Sequence, residues 1–182
     1  LTCEELIESY RMMFPENKVT PFVFGSCSRH IPTCNDYVKN KSIQYGFPTL
    51  FRTSYDMTPD YLEEEVKKGG FLGLKPYLSN CPSYIPSSEI RIFDYLPKEH
   101  LEVANKNGWI IMLHIPRSKR LRDAVNIAQI MEIEEKYPNL KLIVAHIGRA
   151  YAKEDIGDAF SVLKNTKNLV FDVKGLEYIS SA

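Results

Sequence analysis

Two histidines close two consecutive apolar runs, and imidazole is the side chain best suited to hold a divalent metal or to move a proton near neutral pH. His114 follows Trp109-Ile110-Ile111-Met112-Leu113, and His146 follows Leu142-Ile143-Val144-Ala145. Each run reads as a parallel strand buried on both faces. A polar ring at the carboxyl end of such a strand faces the mouth of an α/β barrel or sheet, where active sites collect. On adjacent strands the two rings could share one centre, with ring nitrogens within about 5 Å of each other. The plain alternative is a pair of histidines bonded to backbone at strand ends.

Other residues hold matching positions. Lys75 ends Gly70-Phe71-Leu72-Gly73-Leu74, where an ammonium is costly to bury unless it is paired. It could bind a substrate carboxylate, act as a base, or simply reach solvent along its stem. Asp172, in Leu169-Val170-Phe171-Asp172, could accept a hydrogen bond from a histidine, bind a cation, or cap a helix after the strand. Arg149 and Tyr151 come directly after His146, and Gly148 lets the chain turn sharply there. Arg149 could grip an anionic group bidentately or be a surface arginine, and Arg117 after His114 has the same two readings. The stretch from Tyr77 to Tyr95 is long, aromatic and proline-containing, as binding loops are, and places Tyr77 among the substrate-binding candidates. His30 has Cys-x-x-His spacing from Cys27, with Cys34 nearby, but no second half of a zinc site is visible. His100 falls on a helix face that reads as solvated and receives no role.

The elements that must position these groups alternate between strand and helix. Strands are expected over Pro21–Ser26, Thr49–Ser54, Phe71–Pro76, Trp109–His114, Leu140–His146 and Leu169–Val173. A first helix, Thr2 to Met13, carries a Thr2/Glu5 capping box. Thr58-Pro59 opens a helix that stops at Gly69-Gly70, and Pro97 opens another that ends at Gly108. Asp123 to Tyr137 forms a further helix, and Ile156, Ala159, Phe160 and Leu163 have the spacing of one lying on a sheet. Alternation of this kind implies a parallel sheet. No Gly-x-Gly-x-x-Gly or Walker-type loop follows any strand, so an α/β barrel of the (β/α)8 TIM type is preferred to an open nucleotide-binding sheet. With about six units in a single domain spanning 1–182, it is incomplete against the roughly 250 residues of a closed barrel.

The 23 basic and 23 acidic side chains cancel, which argues against nucleic-acid or membrane partners. Four scattered cysteines without a Cys-x-x-Cys pair read as reduced thiols in a cytoplasmic protein. No run has membrane-spanning length and no signal-peptide pattern opens the chain, which begins at Leu1 rather than Met, as a processed or internal portion would.

Taken together, Gly70-Phe71-Leu72-Gly73-Leu74-Lys75, the strand ending in His114, Pro138-Asn139-Leu140-Lys141-Leu142-Ile143-Val144-Ala145-His146-Ile147-Gly148, and Asn168-Leu169-Val170-Phe171-Asp172 resemble the amidohydrolase-related metal-dependent hydrolases. The resemblance runs from about residue 45 to 173, and the stretch around His146 is its most specific part. It implies a (β/α)8 barrel and a divalent metal, zinc first and manganese as the alternative. His114 matches the fifth-strand metal ligand. His146 matches the sixth-strand histidine that binds metal or positions water, and Lys75 matches the fourth-strand position that carries a carbamate in some branches. The sequence departs from the family in three places. It holds no His-x-His pair, an eighth-strand aspartate would lie beyond Ala182, and Lys174 stands where relatives often carry a small hydroxyl residue.

The implied activity is metal-dependent hydrolysis of a small substrate, with a carboxylate as one option. His114 and His146 would bind metal, His146 and Asp172 would act in catalysis, and Lys75, Tyr77 and Arg149 would receive the substrate. Decarboxylation at the same metal is the nearest alternative, and a catalytically inactive barrel or binding protein is the rival from another class. Catalytic zinc takes three protein ligands, so residues 1–182 alone are expected to bind metal weakly. Unpaired strand edges would invite self-association.

Overall fold

In the computed structural model, described for residues 2–26 and 30–172, all six expected strands are present. Cys27, Val173 and Lys174, named above, lie outside the described residues. The strands are β1 (Val23–Phe24), β2 (Thr49–Thr53), β3 (Gly73–Pro76), β4 (Ile110–Leu113), β5 (Lys141–Val144) and β6 (Leu169–Phe171). They form one parallel sheet in the order β1-β2-β3-β4-β5-β6. The order never reverses, so there is no switch point of the kind a doubly wound sheet has. This is the winding of an α/β barrel, incomplete at six strands, and it leaves β1 and β6 as edges among the described residues.

Helices sit where the sequence signals put them. Thr2 and Glu5 form the capping box of α1 (Cys3–Met13), with the Glu5 carboxylate accepting from Thr2 N–H at 2.7 Å. Between β1 and β2 lies α2 (Ile31–Tyr45), which none of the sequence signals marks, with His30 just before its first turn. Its signal is weak because it buries only Cys34, Asn35 and Val38, too narrow a stripe to mark a helix by periodicity. Thr58 Oγ accepts from Tyr61 N–H at the start of α3 (Pro59–Gly69), and Gly70, at φ 67°, ends it. The segment after β3 is not one long loop. It holds a 3-10 turn (Leu78–Asn80) and α4 (Ile92–Tyr95), and Ile90, Ile92 and Tyr95 are buried in the core. Helices α5 (Lys98–Asn107) and α6 (Ala124–Lys136) come next as expected, the latter capped by the Asp123 carboxylate on Val125 N–H.

After β5 come a single turn α7 (His146–Arg149), then α8 (Lys153–Ile156) and α9 (Ala159–Leu163). The helix expected across Ile156–Leu163 is broken at Gly157 (φ 51°, ψ −136°), a backbone no right-handed helix contains. Phe160 therefore lies 42 % exposed, edge-on to Phe171, rather than packed beneath the sheet.

Alternation along the strands divides the sheet into two faces. Phe51, Leu74, Ile111, Leu113, Leu142 and Val144 join the large core shared with the helices. Leu50, Met112 and Ala145, with Phe24, Ile110 and Ile143 against them, form a smaller cluster on the other, inner face. His100 belongs to the helix side. Far from being solvated, it is 1 % exposed, and its Nε2 donates to the Met57 carbonyl at 2.7 Å. A wholly buried helix position with one polar partner has the same sequence pattern as a solvated one, so periodicity alone misplaces it.

Candidate active site

The inner face ends in polar side chains at the carboxyl ends of the strands. By alternation, Arg52 on β2, Lys75 on β3, His114 just past β4 and Asp172 just past β6 share the parity of the inner cluster. Arg52 and Lys75 are direct register partners, 3 % and 0 % exposed. Arg52 is absent from the candidates drawn from the sequence, although a charged residue inside Thr49-Leu50-Phe51-Arg52-Thr53 is as costly there as Lys75 is in its own strand.

The two strand-end histidines meet. His114 Nε2 and His146 Nε2 are 3.0 Å apart, with ring centroids at 4.9 Å and planes tilted by 53°. Lys75 Nζ lies 2.8 Å from His114 Nδ1 and 3.1 Å from the Met112 carbonyl. An ammonium only donates, so His114 Nδ1 accepts and the ring proton sits on Nε2, donating to His146. That leaves the His146 proton on Nδ1, facing Asp172 Oδ1 at 3.6 Å, a polar contact too long for a hydrogen bond. Donors and acceptors thus alternate from Lys75 through both imidazoles to Asp172.

The surroundings fix these rings. Tyr77 stacks on His114 at 5.6 Å and 19°, while Lys75 Nζ lies 4.8 Å from the Tyr77 ring and 5.1 Å from that of Phe24. Tyr77 Oη donates to the Gly25 carbonyl. Tyr95, wholly buried, donates its hydroxyl to the His114 carbonyl at 2.6 Å, and burial holds its pKa well above the usual tyrosine value. His114 is pushed down to about 4, first by burial, then by the Lys75 charge and by His146. It is therefore neutral at pH 7, the form that offers a lone pair to a metal or accepts a proton.

Arg149 is partly buried after His146. Its Nη2 donates to the Arg117 carbonyl at 2.6 Å, and its charge reaches His114. Arg117 itself turns to Asp123 at 3.0 Å and Arg120 to Asp155, so both are neutralised by nearby carboxylates. His30 precedes α2 exposed and touches Thr33, away from these groups.

The chain reaches this arrangement through a rare backbone. His146, Ile147, Gly148 and Arg149 have φ of 53°, 46°, 61° and 60°, four consecutive residues in the left-handed region. Each non-glycine residue there costs roughly 1–2 kcal/mol, so the turn stores on the order of 3–6 kcal/mol that its surroundings must offset.

As metal ligands the two Nε2 atoms fit two vertices of one site. Zinc bonds of about 2.0–2.1 Å set tetrahedral nitrogens roughly 3.3 Å apart, close to the spacing here once the shared proton leaves. No group of three His, Cys, Asp or Glu positioned for a metal occurs among the described residues, so the donor set is partial. A cavity of about 480 Å³ lies at the opposite end of the sheet, lined by Tyr10, Phe14, Tyr45, Phe47, Arg11 and Lys18, remote from all of these groups. No helix among the described residues is long and apolar enough to cross a membrane.

Comparison with known proteins agrees with the geometry. An amidohydrolase II structure matches at TM-score 0.56 and 16% identity, covering 95% of this chain and 68% of that one. A dihydroorotase from Campylobacter jejuni matches at TM-score 0.50 and 18% identity, covering 79% of this chain and 40% of its own. A dihydroorotase from Saccharomyces cerevisiae matches at TM-score 0.47 and 17% identity, covering 73% and 43%. The chain thus spans about two fifths of the length of either dihydroorotase, and at such identities the likeness is one of fold. No curated protein matches the sequence. The family model for amidohydrolases matches residues 9–181, nearly the whole length. With a barrel-type sheet and paired histidines at its mouth, the chain belongs to the amidohydrolase family.

Proposed function

We propose that this chain carries the two-histidine part of a metal-dependent hydrolase centre acting on a small, carboxylate-bearing substrate. The observation that carries the reading is the meeting of His114 Nε2 and His146 Nε2 at 3.0 Å in a mouth that also holds two buried cations, Arg52 and Lys75. A divalent ion held there, zinc or manganese, supplies a Lewis acid that polarises a carbonyl and acidifies water. The remaining tasks fall to the side chains. Tyr77, stacked on His114, and Tyr95, bonded to its carbonyl, hold that ring in place. His146 offers the lone pair of Nε2 to the ion and keeps its ring proton on Nδ1, on the side of Asp172. Lys75 and Arg149 stand on either side of the histidine pair, on β3 and after β5, and receive a carboxylate by charge-assisted hydrogen bonds. Asp172, the second catalytic candidate of the sequence, contacts both the ring and the backbone N–H of His146.

Decarboxylation is the second reading, favoured by one feature: Lys75 Nζ lies 2.8 Å from His114 Nδ1, so a substrate carboxylate received by that ammonium would sit next to the same centre. One experiment separates the two. The protein, supplied with Zn2+ or Mn2+, is incubated with cyclic amides, lactones and aromatic or enoic acids, and acid release and CO2 release are followed in parallel. Acid release abolished by chelation and by His114→Ala or His146→Ala is the expected result. Turnover indifferent to both substitutions would overturn the proposal. A second copy added at the β1 or β6 edge is the macromolecular partner we propose, read by light scattering across concentration.

A further inference from the structure

Strand alternation aims His146 away from the site. Ile143 and Ala145 lie on the inner face while Leu142 and Val144 join the helix-side core. One more extended residue would carry His146 to the helix side with Val144. His114 has no such problem, since it shares the parity of Ile110 and Met112. The left-handed turn intervenes at this point, and His146 Nε2 returns to within 3.0 Å of His114.

We propose that the turn 146–149 is a re-aiming device for His146 and that Asp172 is the positioning residue that locks it. Asp172 holds the turn at three points. Its carboxylate accepts from His146 N–H at 3.2 Å, its main-chain carbonyl accepts from Ile147 N–H at 2.9 Å, and the same carboxylate oxygen faces His146 Nδ1 at 3.6 Å. Two of the four left-handed residues are thereby tied to the end of β6, and the ring is oriented by the group that holds its backbone. Gly148 supplies the floor. A Cβ there would lie 2.8 Å from Ile115 Cδ1 and 2.9 Å from Leu121 Cδ1, so the turn presses directly on the loop after His114. Ile147 is β-branched and poorly suited to its φ of 46°, which makes an external lock necessary. The proposal rests on the functional reading only in supposing that the re-aimed nitrogen is the one that serves the reaction.

Backbone amide exchange and titration with Zn2+ alone read the two consequences separately. For Asp172→Ala, protection of the His146 amide is expected to collapse and Zn2+ affinity to fall about 10–100-fold, the range for removing an outer partner of a metal-bound histidine. Asp172→Asn keeps a side-chain carbonyl as acceptor but not the charge, so the amide stays protected while Zn2+ affinity still falls. This variant decides alone should Asp172→Ala not fold. Adding Ile147→Gly to Asp172→Ala should recover part of the lost affinity, because glycine enters the left-handed region freely. Parental amide protection in Asp172→Ala, parental Zn2+ affinity in Asp172→Asn, or no recovery with Ile147→Gly would each overturn the positioning role. A parent protein that takes up no Zn2+ would sink the functional reading instead, and the amide result would still decide the role of Asp172.

Discussion

One histidine of this structure is wholly buried and two are only partly so, and the two kinds differ in what their second nitrogen meets. His100 lies inside α5, bonded through Nε2 to the Met57 carbonyl, with Nδ1 buried and unpartnered. It is a packing residue whose polar edge is tied to backbone. His114 and His146 stand at strand ends, each with one nitrogen on the other's ring and the second beside a charged side chain, Lys75 or Asp172. A ring bonded to a carbonyl is spent. A ring flanked by another ring and a charged side chain keeps a nitrogen that is not committed to backbone, and in that the pair proposed for chemistry differs from the structural imidazole.

The strongest way to break this comparison is to remove each kind in turn. His114→Ala or His146→Ala should cost about 10²–10⁴ in turnover, the scale of a lost acid–base or ligand group. The urea midpoint should change little for His146→Ala and fall somewhat for His114→Ala, which takes a partner from the buried Lys75 ammonium. His100→Ala should do the opposite. It leaves a cavity and an unpaired Met57 carbonyl, for about 3 kcal/mol of lost stability by urea unfolding, with activity per folded molecule unchanged. Equal effects of the two on turnover would erase the distinction. Gly148→Ala should destabilise by about 2 kcal/mol, through its φ of 61° and the methyls of Ile115 and Leu121. Its damage should be felt at His146 and not at His100.

The smallest effect is in pH. Burial depresses both His100 and His114, the latter from 6.5 to about 4. The unfolded chain therefore takes up these protons first. Stability is full above about pH 6.5 and is lost as pH falls toward 4, with His114 contributing about 1–2 kcal/mol after solvent screening. His100→Gln should flatten part of that decline in urea titrations across the window. His114→Gln should flatten part of it and also lower activity at pH 7.

Much of the fold is legible in the sequence. The six strands come from continuous apolar runs, and Thr2/Glu5, Thr58-Pro59 and Gly108 mark helix ends by local chemistry that needs no tertiary context. His114, Lys75 and Asp172 fall on the inner face by alternation alone. The features that escape the sequence depend on neighbours distant in the chain. Helix α2 has too narrow a buried stripe, and α4 is too short to show a period. His100 has the spacing of a solvated face until α3 and the loop at Met57 cover it. His146 reaches the mouth by a turn whose geometry Gly148 hints at but whose lock, Asp172, comes 26 residues later.

The Arg52 side chain ties the mouth together mechanically. It donates Nη1 to the Ser26 carbonyl at 2.6 Å, reaches Asn80 Oδ1 with Nη2 at 3.4 Å and lies 5.6 Å from the Tyr77 ring. Its backbone is clasped on both sides by Asn35 from α2. The segments leaving β1 and β3 are thus knotted to one guanidinium and must yield together. The other flank is joined in its own way, by Arg149 on the Arg117 carbonyl and by Asp172 on the turn after His146, so each side of the mouth is held across neighbouring strands.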